Sequence, residues 1–147
     1  MTLGREGTVP VSPEEVWRLV SDPEHLPRWW PGVSRVEEVT PTAWTMVLRS
    51  PKGKTVRADY TLVEADPPRR LRWRHEVEES PFERILGESF TDVELEEADG
   101  GTRVALRARM RLRGFARLGF LQVRRASARQ LEEALQGLQH ALGGAEA

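Results

Sequence analysis

The stretch VSPEEVWRLVSDPEHLPRWW, residues 11–30, decides how the rest of the chain is read. Ser12 suits a helix N-cap, Pro13 the first helical position and Glu15 the far corner of a capping box, with Val11 and Val16 spaced as a hydrophobic staple. This pattern predicts a helix over residues 13–21. Asp22 and Pro23 repeat the cap-and-proline signal, but Pro27 arrives four residues later and limits the second helix to about one turn. Residues 3–10 read as a strand, so two short helices follow a first strand. Trp29 and Trp30 close the stretch. Neighbours on extended backbone point to opposite sides, so one of the pair is expected to face inward, with Trp30 a candidate to border an entrance. Burying one indole removes roughly 150 to 250 Å² from water, a gross gain of about 4 to 6 kcal/mol.

Beyond the tryptophans the period changes from helical to alternating. Residues 33–39 give one strand. Trp44, Met46 and Leu48 alternate with Thr45, Val47 and Arg49, and the turn SPKGK at 50–54 leads into Val56, Ala58, Tyr60 and Leu62, so these two strands should form a hairpin. After DPPRR at 66–70, Leu71, Trp73, His75 and Val77 share one face, with Arg72, Arg74, Glu76 and Glu78 on the other. Ser89, Thr91, Val93 and Leu95 then alternate with acidic residues. Asp99-Gly100-Gly101 turns the chain into Val104, Leu106, Ala108 and Met110, which alternate with arginines. Phe90 falls on the charged face in this phase, either exposed or shifted by a bulge. From residue 116 the helical period returns, and Leu121, Ala128, Leu131, Leu135, Leu138 and Leu142 mark one stripe of a long amphipathic helix. Gly143 and Gly144 end it, leaving 143–147 as a frayed tail.

With 147 residues, 39% hydrophobic and 31% charged, the chain fits one domain, residues 1–147. There is no cysteine, which excludes disulfides, thiolate metal sites and a cysteine nucleophile. The N-terminal stretch carries Arg5 and Glu6 and no apolar core, and no apolar run reaches the length of a membrane span. A cytoplasmic protein is the expectation. Neither a P-loop, a nucleophile elbow nor a dinucleotide fingerprint is present. His25 and His140 lie on helical segments without partner spacing, so neither a metal nor a cofactor is expected.

The order of elements implies an α+β architecture: six to seven antiparallel strands with one apolar face, and one long helix whose apolar stripe needs that face. Curvature of such a sheet leaves room for a concave apolar site under the helix. Periodicity alone leaves a solid core and a cavity equally open.

VPVSPEEVWRLVSDPEHLPRWWPGVSRVEEV at 9–39, GESFTDVELEEADGGTRVALRARM at 87–110 and the leucine-striped helix together resemble the START-like (SRPBCC, helix-grip) superfamily. The similarity is to its bacterial polyketide cyclase/dehydrase and coenzyme Q-binding branch. The resemblance covers nearly the whole chain and implies a curved sheet wrapped around a long C-terminal helix. It also implies a small hydrophobic ligand, such as a lipid, an isoprenoid quinone or a polyketide-like ring system. Family members that catalyse use cavity residues that vary between them, so no catalytic residue carries over.

On this reading Trp44, Met46, Tyr60, Trp73 and His75 from the sheet, with Leu118, Leu121 and Arg125 from the helix, are the wall candidates, and Trp30, Phe82 and Phe115 the entrance candidates. His75 could hydrogen-bond a ligand oxygen or act as a general base; a buried histidine satisfied by a neighbour is the plainer expectation. Arg125 could anchor an anionic group, with Glu88 a candidate partner, or its stem could snorkel to solvent. A noncatalytic binder is the leading reading, a cyclase, aromatase or dehydratase the alternative, and a ribosome-association toxin-like RNA or ribosome binder the third. Between Thr102 and Leu131 there are nine arginines and no acids. Pairing of Arg107 and Arg109 with Asp92 and Glu94 across the hairpin would leave Arg113, Arg117, Arg124, Arg125 and Arg129 as a local basic patch. DNA is not expected as a partner, transient membrane contact stays open, and so do monomer and dimer.

Overall fold

The computed structural model describes residues 1–50, 52–80 and 82–143, with the side chains of 115 and 116 outside that set. Ser12 caps α1 (Pro13–Val20) by accepting the Glu15 N–H at 3.3 Å, with Pro13 at the first helical position as the sequence predicts. Asp22 then accepts the Glu24 N–H at 3.0 Å and opens a 3₁₀ turn, Pro23–His25, which runs directly into the one-turn helix α2 (Leu26–Trp29). These two helices sit between β1 (Thr2–Val9) and β2 (Val33–Glu37).

Beyond β2 the chain meanders through β3 (Ala43–Arg49), β4 (Thr55–Asp66), β5 (Arg70–His75), β6 (Leu86–Ala98) and β7 (Gly101–Leu112) before α3 (Phe120–Ala141). The strands form one seven-stranded antiparallel sheet in the order β1-β7-β6-β5-β4-β3-β2, so the first strand closes against the last. The β3–β4 hairpin and the Asp99-Gly100 turn of the β6–β7 hairpin lie where alternation places them, Gly100 taking a φ of 74° that favours glycine.

Between β6 and β7 the register shifts once, between Leu86 and Glu88, before Phe90 is reached. Phe90 therefore keeps its place on the outer face, opposite Arg109 on β7 and Arg74 on β5, and is half-buried by those long stems. Arg107 and Arg109 pair diagonally across the β6–β7 hairpin, whereas Arg72 stands directly opposite Asp92 across β5 and β6. Arg107 pairs with Glu94, while Asp92 is taken chiefly by Arg72 of β5, at 2.6 and 3.2 Å, with Arg109 at 3.8 Å. Arg72 and Arg107 flank Asp92 from the two neighbouring strands; Arg72 takes the carboxylate in a two-pronged grip, and Arg107 turns to Glu94.

The core lies between the concave face of the sheet, the short helices and the second half of α3, where Leu131, Ala134, Leu135 and Leu138 are buried. The sequence stripe is only partly right. At 100° per residue Leu121 falls roughly 80° away from Leu131 around the helix, so the two cannot face one core squarely. Further along, the Ser127 hydroxyl meets the Met110 sulfur of β7 at 3.7 Å.

Candidate functional site

The concave face carries an aromatic row set by strand register. Trp44, Tyr60 and His75 are cross-strand neighbours on β3, β4 and β5, and their rings stack in sequence: Trp44 on Tyr60 at 6.2 Å, Tyr60 on His75 at 4.8 Å. Trp73, two residues before His75 and so on the same face, is the hub of a second group. Its ring meets Trp44 at 5.9 Å, Trp30 at 5.6 Å and Trp29 at 6.2 Å, all edge to face, and it is 1% exposed. Met46 is buried in the same cluster. From the loop after β5, Phe82 sets its ring edge-on to His75 at 4.7 Å.

Four of the expected wall residues, Trp44, Met46, Trp73 and His75, are thus buried in one group, with Tyr60 stacked between two of them. The helix contributes none of its three. Leu118 is 86% exposed, Leu121 is 63% exposed, and Arg125 also faces solvent, because the last 3₁₀ segment (Gly114–Gly119) and the first turns of α3 run clear of the concave face. Glu88 lies 3.9 Å from Arg111, not against Arg125.

Trp30, an entrance candidate, is buried and lines an open depression together with Pro27, Arg28, Pro31 and Arg49. Both tryptophans of the pair are buried, at 3% and 6%, and meet edge to face at 5.4 Å. The expectation of one inward ring assumed extended backbone, whereas Trp29 ends α2 and Trp30 caps it. Leu26, Trp29 and Trp30 stand at i, i+3 and i+4, the spacing of a single helical face, and that signal identifies Trp29 as the interior residue missed from sequence. Phe115 as an entrance residue and 144–147 as a frayed tail lie outside the described residues.

Polar chemistry within this group is concentrated on ring nitrogens. The Nε1 groups of Trp29, Trp44 and Trp73 and the Nε2 of His75 are buried with no hydrogen-bond partner among the described residues. Among the described residues no neighbour satisfies the His75 Nε2, where the sequence suggested a satisfied core histidine. Burial pushes its imidazole below the usual range, against the opposing pull of Asp59 and Glu76. Burial likewise raises the Tyr60 phenol well above its usual value, so its hydroxyl stays protonated. No group of three or more potential metal ligands occurs among the described residues. The group presents stacked aromatic faces and indole N–H donors side by side.

A curved antiparallel sheet, two short helices after the first strand and a long closing helix over an aromatic interior define a START-like, helix-grip fold. The chain belongs to the polyketide cyclase / dehydrase and lipid transport family, whose model matches residues 3–143. A crystal structure from Thermus thermophilus is 25% identical, with each chain covered over 100% and a TM-score of 0.79. A START superfamily protein from Mycobacterium smegmatis shares the fold at 12% identity, with 96% of each chain covered and a TM-score of 0.76. So does the di-domain ARO/CYC StfQ of the steffimycin biosynthetic pathway, at 15% identity and a TM-score of 0.78, covering 99% of this chain and 51% of StfQ. No curated protein matches significantly. No helix among the described residues is long and apolar enough to cross a membrane.

Proposed function

We propose that the protein binds a small, oxygen-bearing hydrophobic molecule, of the kind an isoprenoid quinone or polyketide-like ring system represents, against the aromatic group of its concave face. The observation that carries this reading is the set of unpartnered ring nitrogens on Trp29, Trp44, Trp73 and His75. A buried polar group left without a partner costs about 1 to 3 kcal/mol, and native interiors rarely carry several such groups together. A ligand carbonyl or phenol would satisfy them while its ring packs on the indoles. Family membership supports the same class of ligand.

Phe82 is the natural gate. Its loop is held by short-range contacts, the Ser80 hydroxyl donating to the Val77 carbonyl at 2.5 Å and the Glu79 N–H to the Glu83 carboxylate at 2.6 Å. Swinging Phe82 away would uncover His75 without disturbing a strand. The test is a tryptophan-fluorescence and thermal-shift titration with a naphthoquinone, a hydroxylated naphthalene, unsubstituted naphthalene and a fatty acid. Saturable quenching and a raised melting temperature with the oxygenated rings are expected, bound protein gaining about 2.7 kcal/mol at a hundred times Kd. A flat response to all four ligands refutes the reading.

A second reading, catalysis of a cyclase, aromatase or dehydratase type in the same place, is favoured by one pair. The stacked Tyr60 and His75 combine a protonated phenol with an imidazole held neutral, an acid and a base side by side. It requires turnover of a polyketone that His75→Ala abolishes while binding persists; unchanged turnover removes His75 from the mechanism.

A further inference from the structure

We propose that the surface built by Ile85, the 3₁₀ segment Gly114–Gly119 and the first turns of α3 docks onto an anionic lipid surface. Of the six large hydrophobic residues exposed among the described residues, four are here: Ile85, Leu118, Phe120 and Leu121. The Arg113 N–H donates to the Ile85 carbonyl at 2.8 Å, which brings the loop before β6 against the start of the segment. An open depression of about 630 Å³, lined by Met1, Met110, Arg111, Leu112, Arg117 and Phe120, adjoins the same face.

The charges around these apolar side chains differ from those on the sheet. Arg103, Arg107, Arg109 and Arg111 each have a carboxylate partner. Arg113, Arg117, Arg124 and Arg125 are exposed and have none among the described residues. Of the acids nearby, Glu83 accepts the Glu79 N–H and Glu88 of β6 lies near Arg111, while Glu78 and Glu79 are exposed on the loop before β6.

Exposed apolar tips ringed by unpaired arginines match one partner best. Against a bilayer the leucines and phenylalanine enter the boundary between headgroups and acyl chains, and the arginines meet phosphates while their stems snorkel. RNA would satisfy the arginines but leave the apolar side chains in water. A second copy meeting this face symmetrically would set arginine against arginine. The inference does not rest on the ligand reading, since it concerns a different surface and a different readout.

The test is co-sedimentation with vesicles of phosphatidylcholine alone and of phosphatidylcholine mixed with phosphatidylglycerol. Binding to the anionic vesicles only is expected, weakening as salt rises from about 0.05 to about 0.5 M. Arg117→Gln with Arg124→Gln should lower affinity about twenty-five-fold, from about five-fold per arginine. Leu118→Ser with Leu121→Ser should also release the protein, and Arg69→Gln, in the turn before β5, should not. Circular dichroism checks folding, and the arginine pair decides the question even if the leucine variant misfolds. Binding indifferent to lipid charge overturns the proposal. So does a concentration-dependent dimer that Leu118→Asp dissolves without any vesicle binding, or tighter binding to RNA than to anionic vesicles.

Discussion

His75 shows most directly how burial sets chemistry at the scale of one side chain. It is buried, stacked on Tyr60 and edged by Phe82, and burial holds its imidazole below the usual value of 6.5. In the unfolded chain the same group takes up a proton as pH falls through about 6.5, while the folded protein resists until a lower pH. The unfolded state then binds more protons, so stability falls as pH falls. The contribution of this site is complete above about pH 6.5 and is lost progressively below it, down to the folded value. Melting temperatures of the parent and of His75→Phe should therefore be close to parallel above pH 7. Below about pH 6.5 the parent should drop more steeply. Parallel curves across the whole range would mean that the imidazole carries no such penalty.

Among the elements, the join between α2 and α3 is a close one. A Cβ added at Gly137 would lie 2.3 Å from the Trp29 carbonyl oxygen and 3.0 Å from its Cα, both backbone atoms that cannot swing aside. Gly137 thus lets α3 approach the end of the helix that carries the tryptophan pair. Gly137→Ala should destabilise the protein by about 1 to 3 kcal/mol in chemical denaturation, the usual cost of overpacking, despite alanine's better helix propensity. A neutral or stabilising result would show that the helices separate at little cost. The two halves of α3 differ for a related reason. From Leu131 onward its apolar residues have β1, β7 and α2 to cover, whereas Leu118 and Leu121 precede the point where the helix meets the sheet. Spacing along a sequence reports which residues share a face, and it cannot report how far along the helix a partner extends.

At the scale of the molecule, the features legible in sequence are those encoded by local chemistry. Ser12 with Pro13, Asp22 with Pro23, and Asp99 with Gly100 each fix a boundary within a few residues, and alternation through Leu71, Trp73 and His75 fixes which face is buried. The inner members of the site followed from that alternation. The pairing of Arg72 with Asp92 and the burial of both tryptophans depended instead on which strand or helix lies alongside, a tertiary fact. The unpartnered ring nitrogens were beyond reach for the same reason, since satisfaction of a donor is decided by neighbours distant in the chain.

These nitrogens carry the central claim and can be observed one by one. The protein has five tryptophans, Trp17, Trp29, Trp30, Trp44 and Trp73, so an indole ¹H–¹⁵N correlation spectrum offers one signal for each. The measurement is that spectrum during titration with a naphthoquinone or hydroxylated naphthalene. The account predicts downfield movement of the Nε1–H signals of Trp29, Trp44 and Trp73 as they gain acceptors, with Trp17 stationary. Stationary interior signals at saturating ligand, or movement confined to Trp17, would contradict it.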